Sequence, residues 1–182
     1  MKYKKYYKFQ SQLALPFLET SRDLLSIIFT ELKDNFRLVK RSKQKFVDLG
    51  SGDGRVVIRA SMAYEINALG IEIDERLVND AKSTVKQLRK NKALTHKVAR
   101  LIRFKVGDIF EQDLKKFDFI YIFSLPTMQK YLKHVFSTIK SSTIVISHRY
   151  PLEIDNSILK LESKLETKID ERSIYTYFYS KK

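Results

Sequence analysis

The 182-residue chain contains no cysteine. This removes disulfides and thiolate metal sites, and gives no reason to place the protein in an oxidising compartment. The expected location is cytoplasmic. Long apolar runs are missing too: Leu24 to Phe29 and Ile144 to Ile146 fall well short of the roughly 18 residues a spanning helix needs. The N-terminus carries charge but no apolar h-region, so it does not read as a signal peptide. His96 and His134 stand isolated in the sequence, and no metal site is expected. There is no internal repeat and no low-complexity linker.

What remains is an ordinary globular composition, 43% hydrophobic and 31% charged, at a length suited to one domain. Within it, residues 1–41 read as a basic arm plus a helix packing on the core, and residues 42–182 as the ligand-binding body. The formal net charge of +14 favours an acidic partner (nucleic acid, an anionic membrane face or an acidic protein) through long-range attraction. An AT-rich coding genome, which enriches Lys, Ile, Tyr and Phe together, accounts for part of that excess.

In the arm, Lys2, Lys4, Lys5 and Lys8 interleave with Tyr3, Tyr6, Tyr7 and Phe9 without helix or strand period. A helix follows from Thr20 or Ser21, either of which can cap it, with Leu24, Ile28, Leu32 and Phe36 spaced by four. Strands are expected at Lys45–Leu49, Ala68–Ile73, Leu101–Val106, Phe117–Phe123 and Thr143–Ser147. Helices are expected after the first strand, over Glu75 to about Lys90, and over Met128–Ile139. This alternation predicts a parallel sheet covered by helices on both faces. Residues Leu159 to Ile169 alternate apolar with polar, while Ile174–Tyr179 is apolar or aromatic throughout. The pair predicts an antiparallel hairpin, its first strand at the edge and its second inside.

Where the first strand meets its helix the sequence reads Val47-Asp48-Leu49-Gly50-Ser51-Gly52-Asp53-Gly54-Arg55, at the sheet edge where open α/β folds bind ligands. Three alternate glycines let a ligand touch backbone, and N–H groups at the helix start can donate to a carboxylate. The dinucleotide fingerprint would need a glycine where Arg55 stands, which disfavours nicotinamide. Asp48 suits a ligand ammonium, directly or through water. Glu72, about 20 residues after the loop, is placed to accept ribose hydroxyls; Asp74 reads as a helix cap. Ile73 can pack on an adenine face.

This loop resembles motif I of the class I methyltransferases, whose Rossmann-like sheet of seven strands ends in an antiparallel hairpin. The resemblance implies S-adenosyl-L-methionine as cofactor. It adds Asp108, after Gly107, as acceptor of the adenine amine, with Ile109 supporting the ring. Strand four ends Phe123-Ser124-Leu125-Pro126-Thr127; Leu125 and Thr127 depart from the Pro-Pro-aromatic pattern of enzymes that methylate amino bases. Four segments together, 15–20, 48–55, 70–74 and 123–128 with 147–151, are similar to the archaeal protein lysine methyltransferases and their mitochondrial relatives. That similarity implies that Pro16, Phe17 and Thr20 fold over the cofactor's methionine end. The lysine pocket is expected from Phe123, Leu125, Tyr150 and Phe17, with Ser124 orienting the amine and His148, whose ordinary pKa is near 6.5, able to accept a proton. The expected partner is a protein presenting a lysine. Automethylation of the arm lysines, an RNA methyltransferase using the basic surface, and a non-catalytic cofactor-binding module are the alternatives.

Overall fold

A computed structural model describes residues 20–153, 158–169 and 172–182. The basic arm, with Pro16 and Phe17, lies outside the described residues, as do residues 170 and 171 of the hairpin turn.

The first helix, α1, spans Arg22–Asn35, and the Ser21 hydroxyl accepts the Leu24 N–H, so Ser21 is the cap. Its period-four apolar positions all land on one side: Leu24, Leu25, Ile28, Phe29 and Leu32 are buried. Each such side chain contributes roughly 1.5–3 kcal/mol by leaving water. Then come β1 (Lys45–Leu49), α2 (Arg55–Tyr64), β2 (Asn67–Glu72), α3 (Glu75–Lys90), α4 (His96–Ala99) and β3 (Ile102–Val106). The second half comprises β4 (Phe119–Ile122), α5 (Pro126–Gln129), α6 (Lys133–Phe136), β5 (Ile144–His148), β6 (Leu159–Ile169) and β7 (Arg172–Lys181).

The strands form one seven-stranded sheet in the order β3-β2-β1-β4-β5-β7-β6. Strands β1 to β5 are parallel; β7 enters antiparallel beside β5, with β6 outside it. The expected hairpin and its inner and outer assignment both hold. Side-chain alternation divides the core in two. Phe46, Phe119, Tyr121, Ile146 and Phe178 pack with α1 and α2 on one face. Val47, Leu49, Ile120, Ile122 and Val145 pack with Leu132, Val135 and Phe136 on the other.

One expected element differs. The helix foreseen over Met128–Ile139 is two four-residue helices, α5 and α6. Between them Tyr131 and Leu132 donate to carbonyls three residues back, which tightens the chain out of α geometry. The buried side chain of Gln129 holds this bend, donating to Ser124 O at 3.2 Å and accepting from Glu153 N at 2.8 Å. The apolar period nevertheless marked the right inward face, because Leu132, Val135, Phe136 and Ile139 are all buried.

Candidate active site

The carboxyl ends of β1, β2 and β4 converge on the glycine loop. Gly50, Gly52 and Gly54 adopt φ of 82°, 50° and 81°, left-handed values that favour glycine. Loop and β2 are pinned together: Gly50 N and Ser51 N donate to Ile71 O at 2.8 and 3.0 Å. Gly52 N donates to Glu72 Oε2 at 2.9 Å. Glu72 Oε1 also accepts the Ile73 and Asp74 amides at 2.8 and 3.1 Å. A carboxylate has about four lone-pair sites, so one on Glu72 stays open.

The glycines divide their labour. A Cβ on Gly50 would meet nothing within 4 Å, whereas one on Gly54 would stand 2.9 Å from the Ala81 side chain and closer still to the Phe104 ring. Gly50 therefore leaves open space above the loop. Gly54 instead lets the start of α2 press against α3 and β3. Gly70 serves similarly, since a Cβ there would come within 2.5 Å of Ser51 Oγ.

Three buried polar groups at this edge have no partner among the described residues. Asp48 is 3% exposed; burial, then the Glu72 and Asp53 carboxylates, push its pKa well above the usual aspartate range. No described donor reaches it. Ser51 Oγ and Ser124 Oγ are likewise buried without a hydrogen bond. An unpartnered buried polar group costs about 1–3 kcal/mol. The register that sets Leu49 beside Ile122 brings the segment carrying Ser124 to the same sheet edge as the glycine loop. A cationic group beside Asp48 and acceptors or donors for two hydroxyls are what the site calls for.

Toward β4 and β5 the edge turns aromatic. Tyr121, opposite Asp48 in the sheet, is buried, and its hydroxyl lies 3.1 Å from Thr20 Oγ1. Burial pushes its pKa far up. His148 stacks on Tyr121, with ring centroids 6.2 Å apart, and meets Phe123 edge-on at 5.3 Å. Its Nδ1 is 3.1 Å from Thr176 Oγ1. Tyr150 stacks on Phe123 at 6.3 Å, and Leu125 is half-buried at the start of α5. On the β2–β3 side Ile73 is 55% exposed. Asp74 caps α3 through Arg76 N, and Asp108 caps the short turn through Phe110 N, with Ile109 half-buried beside it. Among the described residues no cluster of metal-ligating side chains occurs, and no helix is long and apolar enough to cross a membrane.

A sequence model of the ANTKMT methyltransferase domain family matches residues 48–158, well over half of the chain. The chain belongs to this methyltransferase family. It is similar to an ATP synthase C-subunit lysine N-methyltransferase of Caenorhabditis elegans, 27% identical over 90% of this chain and 81% of that protein. A protein-lysine N-methyltransferase of Saccharolobus islandicus (strain REY15A) is 27% identical over 63% of this chain and 69% of its own. Among solved structures, an RNA methyltransferase from Salinibacter ruber in complex with S-adenosyl-L-homocysteine superposes with TM-score 0.66 and 26% identity, covering 88% of this chain and 93% of that one. The magnesium protoporphyrin IX methyltransferase of Synechocystis PCC 6803, with its cofactor bound, shares the fold at TM-score 0.66 and 12% identity over 100% of this chain and 94% of that one.

The protein is thus an S-adenosylmethionine-dependent methyltransferase of the seven-stranded class. The surroundings of His148 alter its basicity. Burial, with the nearby Arg149 charge, lowers its pKa to about 4, so near neutrality the imidazole is uncharged but a poor base. Sequence reasoning also passed over Tyr121, Thr176 and Gln129. Tyr121 carried a signal, since it sits on the same strand face as Phe119 and Phe123; Gln129 carried none, because its partners are backbone groups, Ser124 O just before its helix and Glu153 N 24 residues on.

Proposed function

We propose that this methyltransferase acts on a protein lysine ε-amine. The observation that carries this reading is the aromatic cluster of Phe123, Tyr150 and an uncharged His148, which we assign to the acceptor together with Leu125 and the unpartnered Ser124 hydroxyl. Similarity to two named lysine methyltransferases supports it.

The cofactor site follows from the unpaired groups. Asp48 holds the amino-acid ammonium, and the cofactor lies against the open backbone at Gly50, since the Gly50, Ser51 and Gly52 N–H groups are already taken by Ile71 O and Glu72. The open lone pair of Glu72 takes a ribose hydroxyl. Ile73 and Ile109 flank the adenine, and the Asp108 carboxylate accepts its amine. Thr20, held by Tyr121, lies at the methionine end, where the resemblance also sets Pro16 and Phe17. Gly54 supports this loop through packing. Bound S-adenosylmethionine supplies an electrophilic methyl on a sulfonium.

The remaining work is deprotonation and alignment. A free lysine amine, with a pKa of about 10.4, costs roughly 4–5 kcal/mol to neutralise near pH 7. Aromatic walls that strip water from the ammonium lower that cost. The proton leaves to solvent before attack. Ser124 Oγ would orient the neutral nitrogen toward the sulfonium methyl that bound S-adenosylmethionine would supply, and the thioether would be the leaving group. No strong protein base is needed.

Incubation with labelled S-adenosylmethionine and cell extract tests this: label is expected on protein lysines, and label confined to RNA overturns it. Automethylation of Lys2, Lys4, Lys5 or Lys8 is a subsidiary expectation, removed if these stay unmodified after prolonged incubation. Steeply salt-dependent RNA binding would favour a nucleic-acid partner, and cofactor binding with no turnover on extract a non-catalytic module.

A further inference from the structure

Arg149 follows β5 directly and has φ of 67°, a conformation that bulky residues adopt rarely. The turn is fixed by Arg149 N donating to Tyr175 O at 2.8 Å and Tyr150 N donating to His148 O at 2.9 Å. Its effect is to fold the guanidinium back over the Phe123 ring, 5.8 Å from the centroid. The same ring packs against Tyr150 and His148. A cation therefore lies on the outer rim of the aromatic wall assigned above to the acceptor.

Among the described residues some arginines are ion-paired and others, including Arg59, Arg103 and Arg149, are not; Arg149 is set apart by its contact with the Phe123 ring. Arg41, Arg55 and Arg76 each pair with a carboxylate, at 2.8, 2.6 and 2.8 Å. Arg149 is exposed and pairs with no acid among the described residues. A guanidinium beside an aromatic ring keeps its five donors available to solvent, and its planar fork suits a carboxylate. The chain's charge of +14 draws acidic segments to the surface in the same sense.

We propose that Arg149 is a specificity-determining residue that receives the carboxylate of an Asp or Glu flanking the target lysine. The inference rests on the lysine reading and narrows its substrate class to lysines in acidic surroundings. The arginine takes no part in bond making; it sets where the lysine-bearing segment lies against Phe123 and Tyr150.

The test uses the full chain and two acetylated peptides with a central lysine, flanked by Asp in one and Asn in the other. One charge-assisted contact corresponds to about a tenfold preference in kcat/KM for the Asp peptide. Arg149→Gln should bring the ratio to about one, and Arg149→Lys should restore part of it. Arg103→Gln removes an exposed charge from β3, at the far end of the sheet, and should keep the full ratio. Cofactor affinity should be the same in all four proteins, which excludes misfolding. Equal methylation of both peptides by the wild type, or a preference that survives Arg149→Gln, overturns the inference and leaves the lysine reading standing. An RNA oligomer that displaces the Asp peptide from the wild type but not from Arg149→Gln would give the arginine to phosphate instead and also overturn it. No lysine methylation in either peptide or in extract overturns both.

Discussion

Alanine placed at Gly50 and, separately, at Gly54 probes two glycines with nearly the same φ, 82° and 81°, and opposite surroundings. The left-handed conformation costs either alanine about 1–2 kcal/mol. At Gly50 nothing is added, because the new methyl meets open space. At Gly54 the methyl collides with Phe104 and with Ala81, an overpacking that adds about 1–3 kcal/mol. The totals are about 1–2 kcal/mol for Gly50→Ala and about 2–5 kcal/mol for Gly54→Ala. For a chain of this size each kcal/mol moves the melting temperature by about 2–4 °C. Thermal scans without cofactor should therefore show losses of about 2–8 °C for the first variant and about 4–20 °C for the second. Calorimetric titration should reverse the order of damage. Gly50→Ala fills the space where the cofactor approaches backbone and should weaken binding at least about tenfold, while folded Gly54→Ala should bind within a few-fold of wild type. Equal thermal losses, or tight cofactor binding by Gly50→Ala, would refute this division of roles.

Asp48→Asn should separate stability from binding. Because the folded pKa of Asp48 is raised, its contribution to cofactor-free stability is greatest at low pH and is lost as pH rises through that raised value. Denaturant midpoints of the wild type should show this decline and those of the variant should not; wild-type cofactor affinity should rise over the same window, and a flat wild-type profile would count against the ammonium contact. Glu72→Ala frees three loop amides and should weaken cofactor binding with faster amide exchange at Gly52; unchanged affinity would show that the ribose contact is misplaced. Tyr121→Phe loses the hydroxyl contact with Thr20, worth about 0.5–1.5 kcal/mol, and should raise KM for the cofactor without shifting the pH profile; a wild-type KM would dismiss the link.

Periodicity and turn chemistry made most of the fold legible. β1 and α3 have the bounds their patterns implied, and β2 to β5 differ by only one or two residues at their ends, where fraying and hydrogen bonding decide. Met128–Ile139 misled because a helix period reports which side chains face inward, not whether backbone hydrogen bonds run unbroken; Gln129 bends the chain through contacts no local pattern encodes. The short α4 was missed because four residues are too few to show a period, although Thr95 caps it at Val98 N. At the site, Asp48, the glycines and Glu72 announced themselves by spacing. The altered basicity of His148 depends on burial beneath Tyr121 and Phe123, and Tyr121 matters through Thr20, 101 residues away in sequence; both are products of tertiary packing.

The central claim is most directly tested by incubating the full chain and its Asp48→Asn variant with isotopically labelled S-adenosylmethionine and cell extract, then locating the label by mass spectrometry of the digested proteins. The structure predicts labelled methyl groups on lysine ε-nitrogens of one or a few proteins, strongly reduced with the variant. Label found only in RNA, or on protein side chains other than lysine, would contradict it.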